Sequence, residues 1–519
     1  MNVPGPGRRA FLESVLAASV RALWPGETRA QTPSSGAAFP LPACAASGDV
    51  SGDRALVWAR ATDASRVVVE YSTRPSFAQP TRVIAPPASA GTDFTTRLEL
   101  AGLPAGQRIA YRVRFEPLDR GRPAPDPVVG SFRTPPAGRG GVSFVWGGDV
   151  AGQGWGIDPA RGGYRIFDAM RRASPDLFIH SGDSIYADNP ILPEVKLDDG
   201  TVWRNLVTPA KSKVAETLDE FRGNHRYNLL DDHYRAFQAE VPWIMQWDDH
   251  EVLNNWYPGE IHDDARYQVK DVTLLAARAK RALLEYAPLR VSRADPTRIY
   301  RSISYGPSLD VFVLDLRSYR GANSPNRQAR LSPAARILGA AQMRWLKAAL
   351  AASRATWKVI ACDMPIGLAI PDGPAHSEAV GNGEPGPPLG RELEIAELLR
   401  WIAARRVRNV LWVTADVHYA AAHHFHPDRA SVRDFRPFWE FIAGPLHAGT
   451  FFNGALDPTF GPEARFRSVP PDMKPNRPPS EGLQFFGRGS IAAGSEVLTI
   501  GLHDREGRPL YSVELLPER

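Results

Sequence analysis

Six apolar runs in the second part of the chain end in aspartate: FVWGGD at Asp149, FIHSGD at Asp183, IMQWDD at Asp248 and Asp249, VFVLD at Asp315, VIACD at Asp363 and LWVTAD at Asp416. Runs this apolar and this short, set between helical patterns such as YRIFDAMRRA and RELEIAELLRWIAARR, predict strands of an α/β sheet covered on both faces. In the second pattern Ile395, Leu398, Leu399 and Ile402 share one helical face. Ligands of α/β sheets bind outside the carboxyl ends of the strands. Segments distant in sequence would therefore deliver their carboxylates to one rim, where ionised groups repel one another unless cations sit among them. The pattern calls for metal. Two strand ends add an imidazole: His250 follows Asp249 directly, and His418 lies two residues after Asp416. Oxygen ligands with imidazole suit iron, zinc, manganese or calcium and exclude an all-sulfur site. A dinuclear hydrolytic centre is the economical expectation.

Upstream the texture differs. From Phe39 to Arg133 the segments ALVWARA, RVVVEYS, TRLELAGL, IAYRVRF and VVGSFRT read as short strands between turn clusters, the pattern of a small immunoglobulin-like or fibronectin-like β-sandwich. The expected organisation is a leader over 1–35, an N-terminal all-β domain over 36–135 and a catalytic α/β domain over 136–519. Residues 364–390 and 452–490 are rich in Gly and Pro without periodicity and are expected as long loops near the site. The tail EVLTIGLHDREGRPLYSVELL is expected as a hairpin turning at Arg505, Glu506 and Gly507.

A length of 519 residues leaves room for more than one domain, and 43% hydrophobic with 23% charged residues excludes a disordered or fibrous chain. No run reaches the ~18 to 20 apolar residues of a membrane span, so no integral membrane segment is expected. The net charge of +5 is dispersed, without the basic block that tracks a nucleic-acid backbone. The two cysteines, Cys44 and Cys362, make no disulfide framework. The start of the chain carries Arg8 and Arg9, then Phe11, Leu12 and a modest apolar stretch, with a small residue at Ala30 and Arg21 interrupting. It resembles a twin-arginine export signal, which implies the translocation machinery as a partner and a periplasmic or extracellular destination.

In this order behind a β-rich segment and a paired-arginine start, GGDVAG, HSGDSIYAD, QWDDHEVLNNW, LDLRSYR and TADVHYAA resemble the alkaline phosphatase D family of the calcineurin-like metallophosphoesterases. The resemblance covers roughly residues 36–515. It implies a four-layer sandwich of mixed sheets flanked by helices, and an exported alkaline phosphatase or phosphodiesterase acting on small phosphate esters. By motif it implies that Asp183 bridges two metals and that Tyr186 ligates a ferric ion. Asp249 takes the place of the superfamily's asparagine ligand, His250 that of its catalytic histidine, and Asp416 and His418 those of its paired histidines. Family members commonly carry a cysteine ligand at the first motif, where this chain has Gly147, Gly148 and Asp149. Asp149 is similar to the first aspartate of the broader superfamily. The implied ions are iron with calcium; zinc and manganese are the alternatives.

Other residues keep two readings. Asn254 and Asn255 suit a phosphate oxygen or a plain turn. Arg317 suits a phosphate clamp or an ion pair with Asp315 or Asp310. Asp248 is expected behind the ligands, and Asp363 stands where many superfamily members place a ligating histidine. No GxSxG motif points to a serine nucleophile. Two rival functions are a metal hydrolase acting on bonds other than phosphate esters, and a non-catalytic surface protein stabilised by its metals. The residues leave open whether monoesters, diesters or phospholipids are preferred.

Overall fold

A computed structural model describes residues 40–518 apart from 120 and 453, so the expected leader with Arg8 and Arg9 lies outside the described residues. Its body is two mixed sheets. The first has nine strands, in the spatial order Pro509–Leu515, Leu498–Asp504, Phe485–Ile491, Val142–Gly147, Leu177–His180, Trp243–Met245, Cys44–Ser51, Arg54–Arg60 and Thr95–Leu100. The second has seven: Arg301–Ser304, Leu309–Val313, Trp357–Ala361, Val410–Thr414, Phe438–Ile442, Ala421–Phe425 and Pro462–Arg467. The strands that end in the site aspartates pair parallel within each sheet, which aims their carboxyl ends the same way.

Alternation along these strands builds the layers. Phe144, Trp146, Ile179 and Ile244 of the first sheet share one core with Val311, Val313, Val359 and Val413 of the second. Their neighbours Val145, Phe178, Trp243 and Met245 turn outward onto helices Arg165–Arg172, Leu218–Asn228, Asp232–Glu240 and Val272–Tyr286. On the second sheet Phe312, Ile360 and Trp412 turn outward onto helices Gly339–Ala352 and Glu392–Ala404. Helix, sheet, sheet, helix is the order, and burial on both faces is why the strand sequences are nearly continuous apolar runs.

The strands expected as an N-terminal sandwich are present but divide between two sheets. Cys44–Ser51, Arg54–Arg60 and Thr95–Leu100 extend the nine-stranded sheet, while Ser65–Ser72, Thr81–Ile84, Arg108–Pro117 and Val128–Arg133 form a four-stranded sheet. The join is made where Gly48 pairs with Trp243. A Cβ at Gly48 would stand 2.7 Å from the Trp243 carbonyl oxygen and 2.2 Å from that of Pro288, so only glycine permits the approach.

One loop expectation is corrected. The stretch 452–490 contains strand Pro462–Arg467 and most of strand Phe485–Ile491. Two of its glycines, both in strand Phe485–Ile491, are not turn residues: a Cβ at Gly487 would meet the Trp146 ring at 2.1 Å, and one at Gly489 the Phe144 ring at 2.2 Å. They vacate space for aromatic rings of the adjacent strand. The stretch 364–390 holds only the two-residue strands Leu368–Ala369, Pro371–Asp372 and His376–Ser377. The C-terminal hairpin turns at Arg505 to Arg508. No helix among the described residues is long and apolar enough to cross a membrane.

Candidate metal centre

The loops that leave the parallel strands turn sharply at the acids. Asp149, Asp183, Asp416 and His418 have φ of 68°, 50°, 70° and 61°, a left-handed region that non-glycine residues enter at a cost. Two glycines make room: a Cβ at Gly444 would lie 2.2 Å from Asp149 Oδ2, and one at Gly152 would lie 2.4 Å from the Tyr186 ring.

Three groups of donor atoms result, and within each the atoms lie within 4.8 Å of one another. Asp149, Asp183 and His418 form the first, Asp183, Asp249 and His250 the second, and Asp248, Asp249 and Asp416 the third. Asp183 belongs to two of them. Tyr186 joins the first: its hydroxyl is 2.8 Å from His418 Nε2, which lies 3.8 Å from Asp149 Oδ1. His418 Nδ1 donates to the Gly449 carbonyl oxygen, which leaves the Nε2 lone pair for a ligand position. Burial lowers the His418 pKa to about 4, so the imidazole is neutral, as ligation requires.

Both Asp149 oxygens, Oδ2 of Asp248, Oδ1 of Asp249 and both Asp363 oxygens are buried without a hydrogen-bond partner. Buried carboxylates left this way need compensating charge, so the donor set fits cations. Burial, with Asp248 adding repulsion, drives Asp149 and Asp416 well above the usual carboxylate range. Burial does the same to Asp183, with Asp249 adding repulsion. For Asp249 burial is outweighed by His250 and Arg317, and its pKa falls to about 2. Burial and the carboxylates of Asp183 and Asp149 raise the Tyr186 phenol well above its ordinary value, which keeps it protonated without a cation beside it.

His250 is held differently. Its Nδ1 lies 2.8 Å from Asp188 Oδ1, its ring stacks on Tyr186 at 4.2 Å, and its backbone N–H donates to Asp183 Oδ1 at 3.1 Å. Burial alone would depress it, but the charges of Asp188 and Asp249 and the Asp188 hydrogen bond lift its pKa to about 9. A protonated imidazole with only Nε2 uncommitted results.

Asn254 and Asn255 act here through their backbones: Asn254 N–H donates to Asp188 Oδ2 at 3.0 Å and Asn255 N–H to Asp249 Oδ2 at 2.6 Å. The Asn255 side chain donates to Asp372. The Arg317 guanidinium is completely buried, with Nε 2.5 Å from Asp248 and Nη1 2.7 Å from Glu378. Asp315, a strand-end acid like the rest, turns away to accept from Trp247 Nε1 at 3.0 Å and from the Arg317 and Ser318 N–H groups. Asp363 stays in the rim beside Arg317.

Several contributors escape the sequence reading. Asp188, which orients His250, closes the quoted HSGDSIYAD motif two residues after Tyr186. Glu251 accepts from the backbones of Asp183, Ser184 and Asp248, clamping two ligand loops together. The buried Lys211 ammonium donates to the carbonyl oxygens of Tyr186 and Ala151 at 2.9 and 3.3 Å.

Two stacked mixed sheets between helices, with acids and imidazoles converging from the strand ends, define a metallophosphoesterase-like α/β fold. The chain belongs to the PhoD-like phosphatase family, whose description matches residues 144–502. The description of that family's N-terminal domain matches residues 27–136. Alkaline phosphatase D of Bacillus subtilis (strain 168) is 29% identical over 308 residues, 57% of this chain. That alignment spans 49% of the relative, about half its length. A solved structure of PhoD superposes with a TM-score of 0.67 over 94% of this chain and 90% of its own, at 21% identity. The purple acid phosphatase PPD1 from yellow lupin (Lupinus luteus) seeds superposes at 0.58 over 92% and 75%, at 11% identity. Both likenesses concern the fold.

Proposed function

We propose that this chain is an exported, metal-dependent phosphoesterase that hydrolyses phosphate esters at a centre of two cations. The observation that carries the reading is the sharing of Asp183 between two donor groups, the arrangement a bridging carboxylate requires. Asp149, Asp183, Tyr186 and His418 would hold one ion; Asp183 and Asp249, with Asp416 beyond Asp249, would hold the other. Ions bound there would supply positive charge for the phosphoryl oxygens and acidify a water for attack. Iron with calcium is the pair the family resemblance favours, and a tyrosine oxygen in the first group supports a ferric ion there.

The chain's own residues do the rest. Asp188 fixes the His250 ring and keeps it protonated, so Nε2–H is placed to neutralise the phosphoryl group or to give its proton to the leaving alkoxide. Asn255 holds Asp249 by its N–H and Asn254 holds Asp188, so the QWDDHEVLNNW turn positions both the acid and its orienting carboxylate. Because Arg317 is committed to Asp248 and Glu378, the substrate-facing donor is His250, with Asn254 and Asn255 contributing through their backbone N–H groups.

Replacing His250 with alanine tests the reading. Turnover of an aryl phosphate monoester and of a diester should fall about 100- to 10,000-fold, the range of general acid catalysis, with bound metal nearly unchanged. Metal lost in step with activity would instead make His250 a ligand. Wild-type protein idle on both esters would favour a different metal hydrolase. Export rests on Arg8 and Arg9: changing both to lysine should leave precursor in the cytoplasm, and normal export of that variant would remove the twin-arginine route.

A further inference from the structure

We propose that the Arg317 guanidinium is itself a cation of the centre, so that the third donor group, Asp248, Asp249 and Asp416, takes no metal ion and the protein loads two ions, not three. The inference rests on the phosphoesterase reading above and deepens it.

By spacing alone the three groups are alike, since each places three ligand atoms within 4.8 Å. Their surroundings are not. Arg317 Nε lies 2.5 Å from Asp248 Oδ1 and 3.6 Å from Asp363 Oδ2, and Nη1 lies 2.7 Å from Glu378. Nη2 stands 3.6 Å from both Asp249 Oδ1 and Asp416 Oδ1. Every member of the third group therefore faces this one side chain, and Asp363 is added to them. Nη2 is buried and makes no hydrogen bond; it lies between two carboxylates without docking on either, as a charge shared among anions does. No guanidinium or ammonium is paired with Asp149 or Asp183 among the described residues.

A guanidinium does not deprotonate in proteins, so this charge is permanent. A metal ion in the third group would stand beside it in a buried place, where repulsion between like charges is strong. The guanidinium also cannot swing aside. It is completely buried, and its backbone N–H is tied to Asp315 Oδ1 at 3.2 Å. Its partner Glu378 sits in a loop that Arg391 braces by bonds to the Ser377 and Ala379 carbonyl oxygens at 3.0 and 3.2 Å and to Asn323 Oδ1 at 2.8 Å. Asp416 keeps its Oδ2 for the second ion, and Asp249, whose Oδ2 also accepts from the Asn255 N–H, would reach that ion from the side it shares with Asp183.

Elemental analysis of the exported protein decides the matter, after saturation with ferric and calcium salts and removal of unbound ions. Wild type should carry two ions per chain. Arg317→Lys, which keeps a charge, should also carry two, whereas Arg317→Met should carry three, the additional one being calcium. Three ions on an active wild type overturn the inference while leaving the phosphoesterase reading intact; no bound ion and no ester hydrolysis sink that reading instead. An Arg317→Met protein with native circular dichroism and only two ions also overturns it. Should that variant fold only with calcium present, its melting temperature should climb along a calcium series that leaves saturated wild type unmoved, and a flat response in both counts against the proposal.

Discussion

Asp149, Asp183, Asp416 and His418 hold positive φ together, and each such non-glycine residue costs on the order of 1–3 kcal/mol. Four of them around one set of buried, unpartnered oxygens is strain concentrated where the cations would bind. Tyr186 belongs to the same set through its contact with His418. With ferric iron in the first group, the phenolate should give the protein a visible absorption band. Tyr186→Phe keeps the ring against His250 and removes the oxygen. The band should vanish and iron content fall while the far-ultraviolet circular dichroism is retained. A colourless wild type active with zinc or calcium alone would refute the ferric assignment. It would tie the change of metal to Asp149 standing where family members commonly carry cysteine.

The strands that carry the ligands were legible because burial on both faces writes them as apolar runs and the acids punctuate their ends. Helix Leu218–Asn228 escapes the sequence reading, although Thr217 and Glu220 form a capping box whose T-x-x-E spelling is a signature of helix starts. Strand Phe485–Ile491 was not legible, since its glycines make sense only once Trp146 and Phe144 lie against them. Asp188 and Glu251 were in plain view but ordinary until tertiary contacts gave them partners. Glu378 sits in a Gly- and Pro-rich stretch, and no local pattern marks it as the partner of Arg317. The strand's logic can be tested. Gly487→Ala puts a methyl group 2.1 Å from the Trp146 ring and should cost about 1–3 kcal/mol by overpacking, read as a lower urea midpoint. Gly138→Ala, with nothing within 4 Å, should leave the midpoint in place. Equal midpoints would mean the sheet absorbs the methyl group and the glycine is incidental.

Over the whole molecule, the all-β segment is tied to the helices behind the site as well as to the sheet. Arg222 and Arg281 donate to the Gly91 carbonyl oxygen at 2.8 and 3.2 Å. Asp93 is the centre of this junction: it accepts from Arg60 at 3.3 Å on its own side, from Arg226 of helix Leu218–Asn228 at 2.7 Å, and from the Tyr286 hydroxyl of helix Val272–Tyr286. Burial alone would raise its pKa, but the Tyr286 hydrogen bond and the charges of Arg60 and Arg226 outweigh burial and hold it below the usual carboxylate value. A depressed folded-state pKa means the stabilisation is fully present above the unfolded value near ~3.9 and is lost as pH falls through the lower folded value. Asp93→Asn leaves Arg60 without a carboxylate partner in a site where Asp93 is 8% exposed, while Arg226 keeps Asp219 at 3.1 Å. At pH 7 it should lower stability by about 3–5 kcal/mol, the cost of breaking a buried pair from one side, measured by urea unfolding. The gap between variant and wild type should persist down to pH 5, because Asp93 stays ionised in both folded and unfolded wild type there. It should narrow only in stronger acid, where the wild-type carboxyl takes up its proton and loses the same interactions. Equal stability at pH 7, or a gap that closes already between pH 7 and 5, would show that the junction is held by the continuous sheet and not by this carboxylate.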